Sequence, residues 1–184
     1  MSDELLIKCG APTLAGLKTG NLFSYNYESR EEVTRDLRRL NRILVPKGLR
    51  LLPLQYSGKR VLLYLYRILA LQKDLSQDEA SRILREVGYE NRDSDRCIVE
   101  LAGKLRKAKE FPHEIGLFLS YPPTDVRGFI DNHAANYKYL GFWKVYGDVE
   151  EARKTFASYE KCTRAYSRMW RRGVSLKSLI VESM

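Results

Sequence analysis

Apolar positions recur every three or four residues along some stretches of the chain and alternate along others. Val33, Leu37, Leu40 and Leu44 follow Ser29-Arg-Glu-Glu32, a hydroxyl and a carboxylate spaced to satisfy free N–H groups at a helix start. The pattern predicts a helix that Pro46-Lys47-Gly48 ends. Ser76-Gln-Asp-Glu79 repeats the capping pattern before Ala80, Ile83, Leu84 and Val87, with Gly88 as the stop. Ile98, Leu101 and Leu105 predict a helix from about Ser94 to Lys109. A short helix carrying Val126, Phe129 and Ile130 follows Pro122-Pro123-Thr124-Asp125, and Asp148-Val-Glu-Glu151 opens a long helix reaching Arg172. Strands are predicted at Leu22–Tyr25, Leu49–Gln55, Arg60–Arg67, Glu114–Tyr121 and Gly141–Gly147. Ser57-Gly58 joins the second to the third, and Pro53, which cannot donate to a ladder, puts the second at a sheet edge. Residues 9–21, rich in Gly and interrupted by Pro12, read as a loop.

These elements predict an α/β fold, with α+β as its variant. They amount to one domain over residues 1–184, a mixed sheet of about five strands flanked by helices, and a long amphipathic C-terminal helix. Hydrophobic residues at 44% and charged residues at 30% exclude a disordered or low-complexity chain. Cys9, Cys97 and Cys162 are odd in number and far apart, which fits neither a disulfide framework nor a zinc site. A reduced, cytoplasmic setting is expected. The start, Met1-Ser2-Asp3-Glu4, lacks the basic residues of a secretory signal. The longest apolar run, Val61–Tyr66, is about a third of a membrane span, so no membrane segment is expected.

Lys and Arg number 32 against 23 Asp and Glu, a formal net charge of +9, which admits an acidic partner. On a helical wheel Arg153, Lys154, Lys161, Arg164, Arg168, Arg171 and Arg172 share an arc of about 100°. Ala152, Phe156, Tyr159, Tyr166, Met169 and Trp170 occupy another arc, so one face packs and the other shows cations. A solvated helix face would carry the same pattern. As a docking surface, it would engage an acidic protein or phosphate through Arg153, Lys161, Arg164, Arg168 and Arg171.

Chemistry-bearing motifs are sparse. Gly10 to Thr19 has five residues between its glycines, and Leu17 precedes Lys18, so it is not a nucleotide-binding P-loop. His113-Glu114 lacks the second histidine of a zinc helix, and neither a metal site nor a cofactor is expected. His113 is a candidate base with Glu114 or Asp125 as orienting partner, and Cys9 a candidate nucleophile beside Lys8. A small-ligand pocket would join Thr13 and Lys18 to His113, Glu114 and Tyr121. Tyr137, Tyr139, Phe142, Trp143 and Tyr146 interleave with Lys138 and Lys144, a pattern seen in single-strand binders. It lacks the order of an RNA-recognition strand, and nucleic acid stands as a third reading.

Three longer stretches carry a resemblance: Ala11-Pro-Thr-Leu-Ala-Gly-Leu-Lys-Thr-Gly-Asn-Leu-Phe23, Phe111-Pro-His-Glu-Ile-Gly-Leu-Phe-Leu-Ser-Tyr-Pro-Pro-Thr-Asp-Val-Arg-Gly-Phe-Ile130 and Gly141-Phe-Trp-Lys-Val-Tyr-Gly-Asp148. They resemble a bacterial family, the domain of unknown function numbered 3793, over nearly the whole chain. The resemblance implies no reaction. It implies a setting near flavodoxins and iron-acquisition genes, and so a role under iron limitation with an acidic flavodoxin as a partner to test. The expectation is a non-catalytic accessory protein that docks an acidic partner through its basic helix face.

Overall fold

Val61, Leu63 and Leu65 alternate with Leu62, Tyr64 and Tyr66, and this alternation builds a central strand buried on both faces. In the computed structural model, which describes residues 1–90, 93–107 and 110–182, that strand lies in the first of two units. The first unit comprises Met1–Ala70 and Lys161–Met184, and the second Leu71–Glu160.

The first unit holds α1 (Asp3–Leu14), β1 (Gly20–Asn26), α2 (Arg30–Leu44), β2 (Leu49–Ser57) and β3 (Arg60–Arg67). Its sheet is antiparallel in the order β1-β3-β2. The edge position that Pro53 predicts for β2 is observed, with a break in register between Pro53 and Gln55. Asn41 of α2 covers part of this edge. It donates to the Leu51 carbonyl at 2.8 Å and accepts from the Leu51 amide at 2.9 Å, removing a free donor–acceptor pair that another strand could use. α2 begins as predicted, with Ser29 Oγ accepting from the Glu32 amide, and ends through Val45–Lys47 at a left-handed Gly48. Leu6, Ile7 and Leu14 of α1 and Val33, Leu40 and Leu44 of α2 pack on the Val61, Leu63 and Leu65 face.

The second unit contains α4 (Asp78–Glu86), α5 (Ser94–Lys107), α6 (Ile115–Phe118), α7 (Pro123–Asp131) and a hairpin of β4 (Tyr139–Leu140) and β5 (Lys144–Val145). α3 (Ile68–Ser76) carries the chain into it, and α8 (Val149–Arg171) carries the chain back, followed by α9 (Leu176–Leu179). Asp148 Oδ1 caps α8 by accepting from the Glu150 and Glu151 amides at 2.9 and 3.0 Å.

Helices and strands are both present, at 57% and 16% of residues, and the antiparallel pairing makes this the α+β variant of the expected class. The strands form sheets of three and two rather than one mixed sheet. Glu114–Tyr121 is not a strand: α6 occupies its centre, and a run in which Ile115 to Leu119 are all buried carries no period to separate helix from strand. The Gly141–Gly147 strand is reduced to the returning arm of the hairpin. Ser76 does not cap α4. It closes α3, an element the apolar pattern did not predict, with its Oγ donating to the Lys73 carbonyl at 2.7 Å. Residues 108 and 109 of the predicted third helix lie outside the described residues. Residues 9–14 belong to α1 rather than to a loop, with Pro12 in the last turn. No helix among the described residues is long and apolar enough to cross a membrane.

Candidate functional site

The end of α1 explains the Ala-Pro-Thr-Leu-Ala-Gly-Leu-Lys segment without a bound phosphate. Gly16 takes a left-handed φ of 82° and donates to the Thr13 carbonyl at 3.2 Å, while Leu17 donates to the Pro12 carbonyl at 2.9 Å. This is a glycine-terminated helix end of the Schellman type. Arg67, itself buried, completes it: Nε donates to Thr13 O, and Nη2 to Leu14 O and Val181 O, at 2.7 to 2.8 Å. Gly10 lets α1 lie close on β3, since a Cβ there would come within 2.5 Å of Leu65. Thr13, a predicted pocket residue, is fully buried in this structure.

Lys18 is also buried, with Nζ donating to Asn21 Oδ1 at 2.8 Å, and Asn21 in turn donates to the Cys9 carbonyl. Burial pushes its pKa down to about 8. The unfolded chain therefore binds more protons than the folded one between about pH 8 and the ordinary lysine value, and stability rises with pH through that window. We predict that wild type gains about 2 kcal/mol on Lys18→Met between about pH 7 and about pH 9.5 in urea unfolding. A pH-independent difference would refute the buried, titrating amine. Burial pushes the Cys9 thiol up, against a smaller downward pull from Lys8, which is the reverse of what an activated nucleophile needs.

The C-terminal half of α8 and one side of α1 enclose a groove of about 490 Å³. Lys8, Arg164, Arg168 and Arg171 line it with Ile7 and Trp170, and Glu4 is the acid in its lining. Lys161 is exposed one turn before Arg164. Arg153 stands apart in the second unit, 3.6 Å from Glu150 on its own helix and with its guanidinium 4.8 Å from the Tyr139 ring centre. Lys154 is likewise within 3.9 Å of Glu151. The arc seen in sequence is therefore divided, and its groove-lining part belongs to the first unit.

Sequence reasoning missed a second basic surface. Arg30, Arg35, Arg38, Arg39 and Arg42 are all exposed on α2, beside a shallow depression of about 700 Å³. Their spacing, opposite the apolar Val33, Leu40 and Leu44, is a signal the sequence carries. Divided by unit, the charge is lopsided: the first unit has eighteen Lys and Arg against seven Asp and Glu, a net +11, and the second is at −2.

His113 and Glu114 do not converge. Glu114 is buried, 3.0 Å from Lys104 Nζ, and burial, helped by the Glu114 charge, holds the Tyr89 phenol far above its ordinary pKa. His113 is exposed and meets the Phe129 ring edgewise at 5.0 Å. With Tyr121 it lines a cleft of about 370 Å³ in the second unit, walled by Phe111, Phe129, Phe142 and Trp143. Thr13 and Lys18 are residues of the first unit and take no part in its lining. The hairpin that forms one wall is fastened by Asp125, which accepts from Trp143 Nε1, the Tyr146 amide and the Gly147 amide at 2.7 to 2.8 Å. Lys138 donates to the Gly147 carbonyl at 3.0 Å and Lys144 to the Ala134 carbonyl at 2.7 Å. Among the described residues no three His, Cys, Asp or Glu side chains gather where a metal ion could sit.

A family model described as "Protein of unknown function (DUF3793)" matches residues 6–180, nearly the whole chain. No curated protein and no solved structure matches.

Proposed function

We propose, from the premise that the chain belongs to this family of unknown function and inherits no activity from it, that it is a binding protein that docks an acidic partner protein. The observation that carries the reading is the groove that sets Lys8, Arg164, Arg168 and Arg171 around Ile7 and Trp170. Arg and Trp are the residues that dominate protein-interface energetics, and an apolar floor with a cationic rim suits an acidic side chain next to a buried contact. The +11 charge of the first unit adds long-range attraction, which raises encounter rates and orients the partner. Nucleic acid is the weaker reading, because the aromatic side chains that would stack on bases lie in the second unit, which is net acidic.

Arg164 and Arg168 are exposed, so their reversal leaves the apolar core in place. Arg164→Glu/Arg168→Glu should weaken binding to a flavodoxin, or to poly-L-glutamate as a generic acidic chain, by about tenfold or more with the thermal midpoint nearly unchanged. Affinity for both probes that survives the double reversal would remove the groove from the account.

A further inference from the structure

We propose that the cleft in the second unit is a binding site for a small planar aromatic anion, such as an aromatic carboxylate. Its volume of about 370 Å³ accommodates a ligand of one or two rings. Its walls supply ring faces and edges: Phe129 with His113 against it, and Trp143 stacked on Tyr121 at 4.6 Å. The rim leaves Phe111, Leu140 and Phe142 at 50%, 57% and 49% exposure. Large apolar side chains held half in water around an open cleft mark a surface that gains by being covered.

The polar groups select the charge. Asp125 lines the cleft, but its carboxylate already accepts three hydrogen bonds, from Trp143, Tyr146 and Gly147, and has no call for a cationic ligand. Lys144 also lines the cleft. Its ammonium lies 5.7 Å from the Phe129 ring centre and 4.8 Å from that of Tyr137, and donates one hydrogen bond, to Ala134 O. No carboxylate among the described residues is within ion-pairing distance of it, so a ligand anion would meet a cation with donors to spare. His113 adds a ring nitrogen at the same mouth.

The test uses the full chain and 2-naphthoate, followed by calorimetry, with 2-naphthamide and octanoate as comparisons. The expected result is saturable binding of 2-naphthoate, about tenfold tighter than either comparison. Lys144→Met should bring 2-naphthoate down to the level of its amide, and Phe129→Leu should weaken both aromatic probes. Arg168→Glu, in the other unit, should change nothing, which separates this site from the docking groove. Absence of 2-naphthoate binding at millimolar concentration overturns the proposal. So does equal binding of the amide or of octanoate, or a loss that follows Arg168→Glu rather than Lys144→Met.

Discussion

Replacing Arg67 by Met should cost about 4 kcal/mol of stability, the largest single effect expected outside the apolar core. Its guanidinium satisfies the last carbonyls of α1, at Thr13 and Leu14, and the carbonyl of Val181 near the C-terminus. Methionine fills similar volume but removes three charge-assisted hydrogen bonds, leaving Thr13 O with the Gly16 amide and Leu14 O with the Val181 amide, and each hydrogen bond to a charged group contributes about 1.5–3 kcal/mol. Arg67→Lys should recover less than half of the loss, because an ammonium cannot reproduce the planar fork that reaches these acceptors together. Urea unfolding of the two variants beside wild type reads the effect. A loss below about 1 kcal/mol for Arg67→Met would mean that α1 closes without this residue.

Asp125→Asn should cost about 3 kcal/mol and loosen the β4–β5 hairpin. Oδ1 accepts from two backbone amides and Oδ2 from the Trp143 indole. An asparagine that keeps its oxygen on the backbone must turn its NH₂ toward the indole N–H, donor against donor. Trp143→Phe removes that opposing donor, so in a double-mutant cycle the second change should cost clearly less in the Asn background than in wild type. Additive losses would show that the Asp125–Trp143 bond does not hold the hairpin.

Features set by neighbouring residues were legible in the sequence. Ser29 and Asp148 cap the helices their spacing predicts, Gly48 and Gly88 stand at positive φ after their helices, and Pro53 lies on an edge strand. What depends on remote partners was not. Pro12 argues against a helix locally, and α1 runs past it under the hold of Arg67, 54 residues from Thr13. Glu114–Leu119 is buried throughout, so the pattern of the expected strand had no polar face from which to read a period. The site shows the same division. Four of the five basic residues predicted on α8 lie in the unit that carries the positive charge, whereas Arg153 does not, and only the unit boundary separates them. His113 and Glu114 are adjacent in sequence yet face different surroundings, because α6 begins at the next residue and turns the two side chains apart.

The central claim is that the basic first unit exists to meet an acidic protein. Its most direct test is the affinity of the full chain for poly-L-glutamate and for mixed-sequence single-stranded DNA, side by side at about 50 and about 200 mM salt. The account predicts salt-sensitive binding of the acidic polypeptide that Arg164→Glu/Arg168→Glu weakens by about tenfold or more, with DNA bound more weakly at both salt concentrations. Tighter binding of DNA, or no binding of the acidic polypeptide at the lower salt, would contradict it.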